Sequence, residues 1–297
     1  MKIRSTIIIL VLISTPALTL FKLDKTKTKK NDGFSINQIY SNHKHRQSWK
    51  HELCANISKE HLNSIFSKTF FYLGKGHQSV VFENKEDQVV IKFYKFPSEM
   101  REFSFFSHPL SQFSKKRQSI FKYNLSKYHN TIESHCLAFS SYAKESGMLA
   151  AQLSKSTDCP YTITLVDRMG RNYFVSLKDT HFILQKKGSR FFDKLNCLLA
   201  NGNEDDIKKV IHNTFMFIKQ RSLQGIIDDD PVLSKNFGLY ELQPFQLDTG
   251  RLRESSFSIS RQDAKQETLK ITAALEDWIN KNCPQLLNYY LESSKDL

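Results

Sequence analysis

The sequence predicts an α+β chain of two lobes, the first rich in strands and the second in helices, behind an N-terminal hydrophobic segment. Three observations point there. Runs of β-branched and aromatic residues separated by polar turns recur between Phe70 and Gln185. Apolar residues then recur at helical spacing over residues 205–222 and 261–281. The composition, 40% hydrophobic with 23 Phe and 11 Tyr in 297 residues, suits a chain that buries a core and excludes a disordered one. Ten Gly and seven Pro exclude collagen-like and Pro-rich low-complexity sequences.

The N-terminus comes first. Lys2 and Arg4 precede an apolar run from Thr6 to Phe21, so residues 1–21 read as a secretory signal or a membrane anchor. Lysines from Lys22 to Lys30 follow at once and oppose the pull of Lys2 and Arg4 on topology, leaving cleaved and retained forms both open. The expected location is therefore membrane-anchored or exported, with the side of the membrane undetermined. Residues 22–57 read as a basic linker and 58–297 as the folded domain. The net charge of +13 belongs mostly to this arm: the first fifty residues hold ten of the 43 basic residues and two of the 30 acids. A globular nucleic-acid-binding face is not expected. A basic membrane-surface protein is one reading of the arm together with Lys115-Lys116-Arg117. The five cysteines are widely spaced, with no CxxC pair and no metal-ligand spacing, and read as buried thiols.

Within the domain, Ser58 to Phe66 opens as a short helix. Phe70-Phe71-Tyr72-Leu73, Val80-Val81-Phe82-Glu83 and Val89-Val90-Ile91-Lys92-Phe93-Tyr94 read as strands, the last two a hairpin around Asn84-Lys85-Glu86-Asp87. Residues 98–153 read as helical throughout, with 141–153 the cleaner part. Residues 161–166 and 173–177 form a second hairpin across Met169-Gly170-Arg171-Asn172, and 181–185 another strand closed by Lys186-Lys187-Gly188. Helices follow at 191–199 and 205–222. After an Asp-rich loop and a strand-like Phe245-Gln246-Leu247, Ser260 and Asp263 stand in capping-box spacing before the last helix.

Four separated elements carry chemistry. Gly74-x-Gly76-x-x-Ser79 lies between strands, where missing Cβ atoms let backbone approach a polyphosphate; a tight hairpin turn uses the same residues. Lys92 follows Val89-Val90-Ile91, and a lysine buried there needs phosphate or carboxylate partners; on an edge strand it needs none. Asp228-Asp229-Asp230 and Asn236 share one loop, as carboxylates held by a cation or as a solvated turn. Asp248-Thr249-Gly250 sets a carboxylate at a strand end, or makes an ordinary turn.

In this order the elements resemble the protein-kinase-like superfamily. The Gly-rich loop, Val89-Val90-Ile91-Lys92 and Asp248-Thr249-Gly250 are similar to that family's loop, V-A-I-K and D-F-G motifs. The resemblance implies a two-lobed protein-kinase-like fold, with an N-lobe at about 58–187, a hinge near Gln185 to Gly188 and a short helical C-lobe at about 188–297. It implies ATP and Mg²⁺ as cofactors. Gly74, Gly76, Ser79 and Lys92 would hold the nucleotide, with Glu145, or else Glu133, as the partner of Lys92. Asn236 and Asp248 would be metal ligands, and Asp230 or Asp228 the base toward an acceptor hydroxyl. The departures are as informative. Ser79 replaces the third loop glycine, no H-R-D triplet precedes the loop, and five residues instead of four separate Asp230 from Asn236. No long activation segment or A-P-E follows Gly250. The acceptor implied is a small molecule or an atypical protein site, and a pseudokinase binding module is the alternative. The stretches Phe182 to Lys187 and Asp230 to Gly238 are also similar to proteins of chlamydia-like bacteria, a likeness that implies no activity.

Overall fold

In the computed structural model the described residues are 30–40, 49, 53, 57–76, 78–95, 115–154 and 159–297. The apolar segment 1–21 and most of the basic arm lie outside them. Among the described residues no helix is long and apolar enough to cross a membrane.

The N-terminal lobe is a seven-stranded mixed sheet in the order β4-β7-β3-β2-β1-β5-β6. Its strands are β1 (Thr69–Lys75), β2 (Ser79–Asn84), β3 (Val89–Tyr94), β4 (Met148–Gln152), β5 (Thr162–Val166), β6 (Asn172–Ser176) and β7 (Phe182–Lys186). Strand alternation sorts the side chains. Phe70, Val80, Phe82, Ile91, Phe93, Phe182 and Leu184 are buried on one face, under helix α1 (Lys59–Phe66) with its Leu62, Ile65 and Phe66. The predicted start of α1 is right: Ser58 accepts a hydrogen bond from the His61 N–H at 3.2 Å. Phe34 and Ile39, from the stretch expected to be linker, join the same core. The other face, with Val81, Val90, Lys92, Ile183 and Gln185, looks toward the second lobe.

The β2–β3 turn is held by Asn84, whose Oδ1 accepts from the N–H groups of Glu86 and Asp87. The β5–β6 hairpin crosses over and pairs β5 in parallel with β1, extending the sheet beyond that strand. Asp167 fixes its turn, accepting from the N–H groups of Met169 and Arg171 and from the Arg171 guanidinium, the Tyr173 hydroxyl and the Asn31 amide.

One expectation fails between the lobes. Helix α2 (Lys115–Ser141) stops at Ser141, and Met148–Gln152 is strand β4, not helix. Gly147 at φ +64° turns the chain. Residues 148–152 are all buried, so the strand lacks alternation and its run of small and apolar residues reads as helix.

The second lobe packs α3 (Phe191–Ala200), α4 (Glu204–Leu223), α5 (Leu233–Asn236), α6 (Arg261–Asn282) and α7 (Leu287–Lys295). Phe191, Leu195, Ile211, Phe215, Ile218, Leu275, Ile279 and Tyr290 form its core. The Ser260–Asp263 capping box opens α6 as the sequence predicts. β8 (Ser189–Arg190), β10 (Phe237–Tyr240) and β11 (Gln243–Gln246) form one small sheet, and β9 (Ile226–Asp228) pairs with β12 (Leu252–Glu254) in another. Of these short strands only β11, at the strand-like Phe245-Gln246-Leu247, is legible in the sequence. These sheets place the Asp-rich loop and Asp248 at the interface of the lobes.

Candidate functional site

A cleft of about 500 Å³ opens between the lobes. Its roof is the inner face of the large sheet, and its floor includes Leu247 and Asp248 just beyond β11. Gly74, Gly76, Ser79, Lys92 and Asp248, singled out in the sequence, all line it. The glycine loop folds back on itself, Gly76 N–H donating to Ser79 O at 2.9 Å, while the Lys95 ammonium donates to Gly76 O at 2.6 Å. A Cβ on Gly74 would meet nothing within 4 Å, so the loop leaves open space over the cleft.

Lys92 sits on β3 opposite Val81 and Ile183. Its ammonium donates to the Leu247 carbonyl at 2.5 Å. Burial pushes its pKa down, and the carboxylate of Asp248 pushes back. No ion pair joins Lys92 to a carboxylate among the described residues. Glu145 does not reach it: it lies on the turn after α2, where its backbone carbonyl accepts from Gln246 N–H at 3.0 Å. Glu133 points away too, lining a separate surface hollow with Asp229 and Arg253. The helix presents Thr131 and His135 to the cleft instead, one turn apart. His135 is buried, and its Nδ1 lies 2.5 Å from the Tyr94 hydroxyl. Burial lowers the imidazole pKa to about 4; Asp248 opposes this shift and Lys92 reinforces it.

The Asp-rich loop divides by role. Asp228 is buried and fully engaged: Oδ1 accepts from Asp230 N–H at 2.9 Å, and Oδ2 from the Gln246 amide and, at 3.5 Å, from Arg221. Burial pushes its pKa up, against those hydrogen bonds and the Arg221 charge. Arg221 is itself fully buried and also binds Glu267 at 2.9 Å. Asp229 forms an exposed pair with Arg253. The Asp230 side chain is exposed, and its backbone carbonyl accepts from the Asn236 amide at 2.5 Å. Asp230 and Asn236 stand outside the cleft lining, which their neighbour Lys235 joins. Asn236 nonetheless adjoins Asp248, since its backbone carbonyl accepts from the N–H groups of Leu247 and Asp248 at 2.8 and 3.3 Å. Asp248 is exposed, and its Oδ1 accepts from Gly250 N–H at 3.0 Å.

The roles of His135, Arg221 and Gln246 go unread in the sequence, which marks Gln185 only as the start of the hinge. Gln185 is buried on β7 and donates to the carbonyls of Ser146 and Gln246 at 2.6 and 3.1 Å, tying the roof to the floor. Arg221 left a usable signal. It follows Ile218 by three residues on the apolar face of α4, where a cation needs a buried acid.

No protein-family model matches the chain, and no curated protein does. Among solved structures it is similar to WbdD, titled a bifunctional kinase-methyltransferase, in a co-crystal with the kinase inhibitor LY294002, at 14% identity and a TM-score of 0.37. That match covers 75% of this chain and 45% of the other. The ROP18 kinase domain in complex with AMP-PNP and sucrose matches at 14% identity and a TM-score of 0.33, over 68% of this chain and 62% of the other. Likenesses this distant decide nothing about the site; the placement of its own residues does.

Proposed function

We propose that the chain is a kinase-type phosphotransferase that binds ATP in the cleft between its lobes, acting on a small-molecule or atypical protein acceptor. One observation carries this reading. The glycine loop, Lys92 and Asp248, far apart in sequence, line a single cleft whose roof is a β-sheet and whose floor includes Arg190, Lys235, Leu247 and Asp248. Leu73, Val81, Val90, Ile183 and Leu247 give it an apolar interior for a flat base. Lys92 holds phosphate oxygens, which would replace the Leu247 carbonyl as its partner.

The donor set fits magnesium. Asp248 Oδ2 accepts no hydrogen bond from a described residue, and Asn236, with its amide nitrogen engaged, keeps its Oδ1 for a cation. Bound to these hard oxygens, magnesium would neutralise charge on the transferring phosphoryl group. Asp230 is the candidate base because its carboxylate is exposed beside that loop. Asp228 braces the loop, with both oxygens occupied inside the protein.

A binding module without catalysis is the second reading, favoured by the Thr131 and His135 side chains that face the cleft where a carboxylate partner of Lys92 was expected. The test titrates the full-length chain with ATP, in the presence and absence of Mg²⁺, and then follows ADP formation. Wild type is expected to bind and Val90→Trp, which fills the roof, to lose binding while still unfolding cooperatively. Absence of binding to wild type in every buffer refutes the nucleotide reading. Binding with no ADP formed favours the module.

A further inference from the structure

The charge lining the cleft is lopsided. Lys75, Lys92, Lys186, Lys187, Arg190 and Lys235 face it, against the single carboxylate of Asp248. Two of these cations are already matched: Lys75 lies 3.9 Å from Asp32, and Lys187 pairs with Glu83. The other four have no acid within ion-pair distance among the described residues. Lys92 donates to a carbonyl, and Lys186 lies 5.1 Å from the centre of the Tyr240 ring. Arg190 and Lys235 are exposed on the lower lobe. A recess with low-dielectric walls focuses such an excess, so the site favours the more negative of two related ligands.

The free triphosphate is more negative than its magnesium complex. We propose that the cleft takes the nucleoside triphosphate without a divalent cation, lysine and arginine supplying the charge compensation, so that metal is required for transfer and not for binding. This rests on the nucleotide reading above and adds to it an order: nucleotide first, cation second. The cation then enters at Asp248 and Asn236, attracted by phosphate already in place. Four unmatched cations around one carboxylate would repel the metal from an empty cleft. Arg190 and Lys235 gain a function that the glycine loop and Lys92 do not supply, holding a polyanion from below by charge-assisted hydrogen bonds.

The experiment is an equilibrium titration of the full-length chain with ATP in EDTA and in excess Mg²⁺, repeated with AMP and with the double variant Arg190→Ala/Lys235→Ala. ATP is expected to bind in EDTA at least as tightly as with Mg²⁺, and AMP to bind more than about tenfold weaker in either. The double variant, changed only at exposed positions, is expected to weaken ATP in EDTA by about three- to tenfold more than it weakens the magnesium complex. Tighter binding with Mg²⁺ than in EDTA overturns the proposal, as does a double variant that weakens both forms equally. Absence of ATP binding in both buffers overturns the nucleotide reading itself, a separate result.

Discussion

Replacing His135 with glutamine is expected to flatten the acid side of the protein's stability curve. The imidazole is buried against Tyr94 at the cleft wall, with its folded pKa near 4 against an ordinary value of 6.5. The unfolded chain therefore binds a proton that the folded chain refuses between those values, and stability falls as pH drops through that window. A shift of this size is worth about 3 kcal/mol in full. About 2 kcal/mol of it is lost between roughly pH 7.5 and pH 5. Glutamine does not titrate and keeps a polar group toward the Tyr94 hydroxyl. Lys92 and Asp248 face the imidazole in both proteins, so the difference between the two isolates His135. Urea unfolding followed by tryptophan fluorescence, in metal-free buffer at both pH values, supplies the measurement. Wild type should lose about 2 kcal/mol more than His135→Gln on acidification. Parallel losses would refute the assignment of a neutral, buried imidazole.

Two further substitutions probe the frame around the cleft. Arg221→Met leaves the Asp228 carboxylate buried without its cation and Glu267 with only the Ser222 hydroxyl, and is expected to cost about 3–5 kcal/mol in urea unfolding. Adding Asp228→Asn should recover part of that loss. Phe34→Ala is expected to cost about 3–5 kcal/mol, because Phe34 is 1% exposed in the core beside Phe82; a residue of a solvated linker would cost nothing measurable.

The elements that the sequence shows are those whose pattern matches their burial. β2 and β3 are runs of β-branched and aromatic residues bounded by polar turns, and α4 and α6 carry one apolar stripe, so composition identifies the strands and period the helices. β4 is buried on both faces and loses its period, and β8, β9 and β12 are two or three residues long, too short to have one. Residues 30–40 read as linker because basic neighbours dominate the local composition, yet Phe34 and Ile39 are buried, and Asn31 donates to the Phe34 carbonyl and to Asp167 far along the chain. For the site, the residue types with a phosphate chemistry were visible and share one cleft. The partner of Lys92 was not, because it depends on which face of α2 meets the sheet. Glu133 and His135 are two residues apart, which on a helix points them in different directions.

Two kinds of interaction now divide the labour at this cleft. Its shape is set by buried amides. Gln246 donates to Asp228 and to the Asp248 carbonyl, while its own carbonyl accepts from Gln185, so one side chain and one peptide group join the Asp-rich loop, the Asp248 turn and the roof. Gly188 lets this joint close: a Cβ there would collide with the Phe245 ring and approach the Leu239 carbonyl to 2.9 Å. On the proposed reading the attraction for a polyphosphate comes instead from cations at the rim, of which Arg190 and Lys235 are exposed. Salt screens exposed charges and leaves buried hydrogen bonds and ion pairs much less affected. Raising ionic strength should therefore weaken a polyphosphate in this cleft without loosening the cleft itself. A fold held open by its own rim charges would behave in the opposite way, gaining stability with salt.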